Sequence, residues 1–84
     1  MSENNEANII ENLRLFQEVQ KTKAIINTHK TYWKDVTLQE LLDGLDREVI
    51  ELKESLREGR IANTQLECAD VANYAAMIFS KVRG

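Results

Sequence analysis

The sequence predicts an all-α protein built from three main helices. Three observations carry that expectation. The chain has no proline and only three glycines. Leu, Ala, Glu and Lys, all good helix formers, are abundant. The apolar residues recur at intervals of three and four rather than two. With 84 residues there is room for one domain, close to the size at which a single core is only marginally stabilising, so association of copies is expected.

The first helix is expected over about 7–26, where Ile9, Leu13 and Phe16, joined by Leu15, Val19 and Ile26, return at helical spacing. From Asn27 to Val36 that period is lost and polar turn-forming residues dominate, which reads as a loop carrying Tyr32 and Trp33. Thr37 followed by Leu38-Gln39-Glu40 fits a capping box and starts a second helix over about 38–58. Its stripe Leu38, Leu41, Leu42, Leu45, Val49, Leu52 and Leu56 runs to Gly59, a residue suited to the left-handed conformation that closes many helices. Asn63 is the expected cap of a third helix over about 64–82, whose end carries Lys81 and Arg83. The connection between the last two helices is short, so they should form an antiparallel hairpin.

Charge and composition exclude several classes of function. The formal charge is −3 with acidic and basic residues interspersed, unlike the basic footprint that neutralises nucleic-acid phosphates. No apolar stretch approaches the roughly 20 residues of a membrane helix, and residues 1–7 are polar and acidic rather than signal-like. The single cysteine, Cys68, cannot form an intrachain disulfide and suits a reducing compartment. A soluble, cytoplasmic protein is expected, with no nucleic-acid or membrane partner.

Chemistry is concentrated in two acidic pairs. Glu48 and Glu51, three apart, share one face of the second helix, in a column with the small residues Gly44 and Ser55. With Leu45 at the centre of the apolar stripe, this column borders the core. Glu67 and Asp70 form the second pair, and Tyr74 and Lys81 continue their column along an otherwise largely apolar helix. Across a hairpin the four carboxylates would meet in one cleft, where their repulsion calls for a cation. Oxygen-only ligands suit Mg²⁺ or Mn²⁺; the Cys- or His-rich sets typical of zinc are missing. Periodicity alone does not separate such a site from two solvated helix faces.

The segment Arg47-Glu48-Val49-Ile50-Glu51, followed after fifteen residues by Glu67-Cys68-Ala69-Asp70-Val71, resembles the signature of MazG-like nucleotide pyrophosphohydrolases, members of the all-α NTP pyrophosphatase superfamily. The resemblance spans about 33–79. It implies that Glu48, Glu51, Glu67 and Asp70 bind Mg²⁺ and that the chain hydrolyses a nucleoside triphosphate to the monophosphate and pyrophosphate, in nucleotide-pool cleansing. Glu48 is the candidate base orienting the attacking water. Trp33 and Tyr74 are candidates to line a nucleobase pocket, with Asn73 and Lys81 as further substrate-binding candidates. Lys30 and Lys34 have weaker claims, His29 reads as a solvated loop residue and Cys68 as a core thiol. Related proteins complete a four-helix bundle by pairing subunits, which implies a homodimer or homotetramer, with Ile50 at the interface.

The match departs from the family pattern in two places. Arg47 stands where the family has a first glutamate, and the sequence ends at Gly84, without the further basic helix with which many relatives grip phosphate. Two alternatives follow. One is a catalytically silent helical interaction module. The other is phosphoribosyl-ATP pyrophosphohydrolase, against which Tyr74 is followed by Ala75 rather than histidine.

Overall fold

The computed structural model describes the backbone of residues 2–27 and 35–84, with side-chain surroundings over 4–25 and 35–84. The described chain is helical, with no strand among the described residues. Its three helices are α1 (Ser2–Asn27), α2 (Leu38–Arg57) and α3 (Ile61–Arg83). Helix α3 is central and packs against both α1 and α2. No helix of the described residues is long and apolar enough to cross a membrane.

Local chemistry explains the boundaries. The Glu40 amide donates to the Thr37 hydroxyl at 3.1 Å, and that hydroxyl donates to the Glu40 carboxylate at 3.2 Å, so the expected pairing of Thr37 with Glu40 starts α2. At the other end Gly59 takes φ +69°. Its amide donates to the Leu56 carbonyl at 3.1 Å and the Arg60 amide reaches back to the Ser55 carbonyl at 3.1 Å. This double back-bonding is a Schellman closure, and it reverses the chain within a few residues.

Helix α3 starts three residues earlier than its sequence suggests, with Arg60 at the cap position and no side-chain cap. Asn63 is used differently from the cap expected of it. Its amide donates to the Ser55 hydroxyl at 3.1 Å, across the hairpin. The hydroxyls of Thr64 and Ser55 both reach the Arg60 carbonyl, at 2.7 and 3.2 Å, and lie in hydrogen-bond contact with each other at 2.8 Å. Ser55 is fully buried, so this chain of bonds satisfies a hydroxyl that would otherwise be costly there. Helix α1 also starts earlier than expected, at Ser2.

The inward face of α2 is rotated from the one its leucines suggest. Its buried residues are Leu41, Gly44 and Ser55, while Leu38, Leu42 and Leu56 are exposed at 44%, 46% and 62%. The column of small residues is therefore the seam of the hairpin, and Leu45, Val49 and Leu52 are only half-buried. Small residues win the seam because they let two helix backbones approach. Tyr74 fills the space over Gly44 so closely that a Cβ there would lie 2.6 Å from its Cζ.

Little apolar surface is enclosed. Among the described residues only Leu41 and Ala69 are buried apolar residues, while Ile9, Ile10, Leu13, Phe79 and Val82 are all more than half exposed. The accessible surface is 6591 Å², against about 5,100 Å² expected of a compact monomer of this mass.

Candidate metal centre

Reading outward from the turn, the α2–α3 seam is a ladder of contacts. Ser55 meets Asn63 and Thr64 beside the turn, and Gly44 meets Tyr74 further out. Between these two contacts the facing residues are acids. One carboxylate oxygen each from Glu48, Glu67 and Asp70 lies within 4.8 Å of the others. The α2 seam thus delivers Glu48 directly to the pair carried by α3.

Two oxygens in this cluster, Oε2 of Glu48 and Oε2 of Glu67, are buried without a hydrogen-bond partner. Buried carboxylate oxygens that lack donors cost several kcal/mol unless they are protonated or meet a cation. The Glu48 carboxyl is accordingly pushed up to about 8, first by burial, then by donating a hydrogen bond to the Glu51 carboxylate and by the charge of Glu51, and further by Asp70 and Glu67. Burial also raises the Glu67 carboxyl; a hydrogen bond from Glu48 opposes this, and the charges of Glu51 and Asp70 add to the rise. Glu51 is exposed and lies outside the converging trio, yet its charge acts on both Glu48 and Glu67. It stands at the solvent edge of the cluster.

The donor set is all oxygen, carboxylate and partly dehydrated, which is the chemistry of Mg²⁺ or Mn²⁺ ligation rather than of zinc. A cation beside the two orphaned oxygens would supply the partner they lack. The residues fit the ion on these grounds.

The remaining sequence candidates are placed as follows. Tyr74 lies one turn beyond Asp70 and lines a cleft of about 370 Å³ with Val36, Glu40, Leu41, Asp43, Arg47 and Met77. Asn73 is buried at 5% exposure and its amide donates to the Gln20 carbonyl of α1 at 3.2 Å, so that group ties α1 to α3. Lys81 lies eleven residues beyond Asp70, about 16 Å along the helix axis, and is not brought to the cluster. Trp33, Lys30, Lys34 and His29 lie outside the described residues. Cys68 is half-buried, in keeping with a packing role.

One residue at the cluster escaped the sequence reading. The Lys23 ammonium of α1 stands 3.4 Å from Oδ1 of Asp70. The signal was present: Lys23 follows Phe16, Val19 and Gln20 at helical spacing, on the face of α1 that becomes half-buried. A charge on that face needs a partner, and α3 supplies it.

Fold and site together define a class: an all-helical chain with a partly buried carboxylate cluster on a helical hairpin and a cation from a third helix at its edge. No family model, no curated protein and no solved structure matches the chain.

Proposed function

We propose that this protein is a Mg²⁺-dependent nucleoside triphosphate pyrophosphohydrolase of the MazG-like kind. The observation that carries the reading is the convergence of Glu48, Glu67 and Asp70 with two buried carboxylate oxygens that lack donors. The resemblance of 47–51 and 67–71 to the family signature supports it independently of the geometry.

In this reading Glu48, Glu67 and Asp70 hold the ion, with Glu51 completing the ligand set from the solvent side. Bound Mg²⁺ supplies charge neutralisation to the phosphates and acidifies water near them. Glu48 takes the proton of the water that attacks the α-phosphorus. A P–O bond forms there, the bond from the α-phosphorus to the bridging oxygen breaks, and pyrophosphate leaves with that oxygen. The cleft beside Tyr74 offers an aromatic ring, apolar Leu41 and Met77, and the polar groups of Asp43 and Arg47 to a nucleoside.

The working unit in this reading is a homodimer, or a homotetramer built from it, whose paired hairpins complete a four-helix bundle. Its surface exceeds that of a compact monomer by roughly 1,500 Å², comparable with what one subunit buries in an obligate dimer. The outward-facing Leu38, Leu42, Ile50 and Leu56 of α2 are the surface to be covered.

The test is pyrophosphate release from a panel of canonical and modified nucleoside triphosphates with Mg²⁺, on protein whose mass in solution is measured by light scattering. Release from the wild type that Glu48→Gln and Asp70→Asn both reduce by at least 100-fold is the expected result. Release from no member of the panel, with no Mn²⁺ binding, would replace this reading with that of a helical interaction module.

A further inference from the structure

An acidic cluster attracts a divalent ion but repels the triphosphate that the ion is meant to hold. One ion shared among Glu48, Glu51, Glu67 and Asp70 leaves the locality short of positive charge. Phosphate oxygens not in contact with the ion therefore require a cation from the protein, within reach of the acids and able to move. Lys23 meets each requirement. It comes from α1, a different helix from those carrying the acids, and its ammonium already touches the cluster through Asp70.

The contact is loose. At 3.4 Å it is longer than the 2.7–2.9 Å of a tight charge-assisted bond. Two further ammonium protons remain for other acceptors, and the flexible four-carbon stem lets the head turn without moving the helix. The helix itself is held separately, because the buried Asn73 amide binds the Gln20 carbonyl one turn before Lys23. Releasing Lys23 from Asp70 thus leaves α1 docked. The side chains of Lys23 and Asp70 are 24% and 16% exposed, so the ammonium sits where a ligand arriving from solvent can meet it.

We infer that Lys23 is a mobile phosphate-binding residue of this site: it neutralises Asp70 while no divalent ion is bound, and turns to a phosphate oxygen of the nucleotide when one is. The inference rests on the pyrophosphohydrolase reading and adds to it the phosphate-gripping group that the acids cannot supply. In the ion-free protein Lys23 competes with the metal for Asp70; in the nucleotide complex it acts with the metal. Removing its charge therefore has opposite effects on the two ligands, whereas a residue that merely fastened α1 to α3 would weaken both together.

The test uses the full chain as wild type, Lys23→Gln and Lys23→Arg. Free Mn²⁺ binding is followed by electron paramagnetic resonance without nucleotide, and steady-state hydrolysis is measured on the best substrate of the panel. For Lys23→Gln the expected outcome is Mn²⁺ bound about two- to fivefold more tightly, with KM raised roughly tenfold or more and a smaller change in kcat. Lys23→Arg keeps the charge and should restore most of the KM. Mn²⁺ binding by Lys23→Gln that is unchanged or weaker overturns the inference, as does an unchanged KM, while wild-type hydrolysis leaves the enzyme reading standing. Failure of the wild type to bind Mn²⁺ or release pyrophosphate removes both.

Discussion

Replacing Glu48 by Gln should stabilise the metal-free protein, and the gain should grow with pH. The Glu48 carboxyl is held up to about 8 by burial and by the acids around it, against an ordinary 4.5. Because the native state keeps a proton that the unfolded chain has released, folding is undisturbed by this group below about pH 4.5. Above that, each pH unit costs at most about 1.4 kcal/mol until the native carboxyl itself ionises near 8. Unscreened, the cost at pH 7 would be roughly 3 kcal/mol; because the carboxyl is only partly buried, solvent screening brings it down to about 1–2 kcal/mol. It belongs to the cluster as a unit, since Glu51, Glu67 and Asp70 share in it.

For a domain of this size 1 kcal/mol moves Tm by about 4–8 °C, so a difference of roughly 5–10 °C is expected. The assay is far-UV circular dichroism melting in EDTA at pH 5.5, 7.0 and 8.5. The wild type should lose stability across this range, Glu48→Gln should lose much less, and saturating Mn²⁺ in place of EDTA should restore the wild type at pH 8.5. Parallel pH profiles for the two proteins, or a Glu48→Gln protein less stable than wild type at pH 8.5, would refute the claim that the cluster is strained by its own charge.

Two further predictions concern the frame that holds the acids together. Gly44→Ala should lower Tm, because the added Cβ meets the Tyr74 ring at a cost of about 1–3 kcal/mol; in a Tyr74→Ala background it should instead raise Tm, since alanine favours the helix by about 1 kcal/mol once the ring is gone. Gly59→Ala should destabilise by about 1 kcal/mol in the same melts although nothing lies within 4 Å of the new methyl, because φ +69° is unfavourable for any side chain.

The helices were legible because their signals are local. Thr37 with Glu40, the positive-φ Gly59 and the three-and-four spacing of the leucines each act within one or two turns. The acids on α3 were legible for the same reason: Glu67, Asp70 and Tyr74 lie on one face whatever α3 packs against. Which side of α2 turns inward was not legible from its leucines, since a stripe shows only that a face is apolar. The closeness of Gly44 to Tyr74 and the buried network at Ser55 decide it, and both depend on α3. Asn63 illustrates the same limit: an ordinary helix cap by sequence, it is drawn across the hairpin by a buried hydroxyl. Lys23 needed the third helix to be in place before its partner could be named.

The seam of the hairpin also sets a ceiling on how far the acids can relax. Ser55 with Asn63 and Thr64 closes it on one side, and Tyr74 over Gly44 closes it on the other. Neither contact depends on charge, so repulsion between them cannot be relieved by the helices drifting apart. A sequence optimised only for folding would put leucine or alanine at Glu48 and Glu67, and such a double replacement should yield a hardier hairpin. The stability recovered by that exchange would measure what the natural chain forgoes to keep carboxylates in the seam of its hairpin.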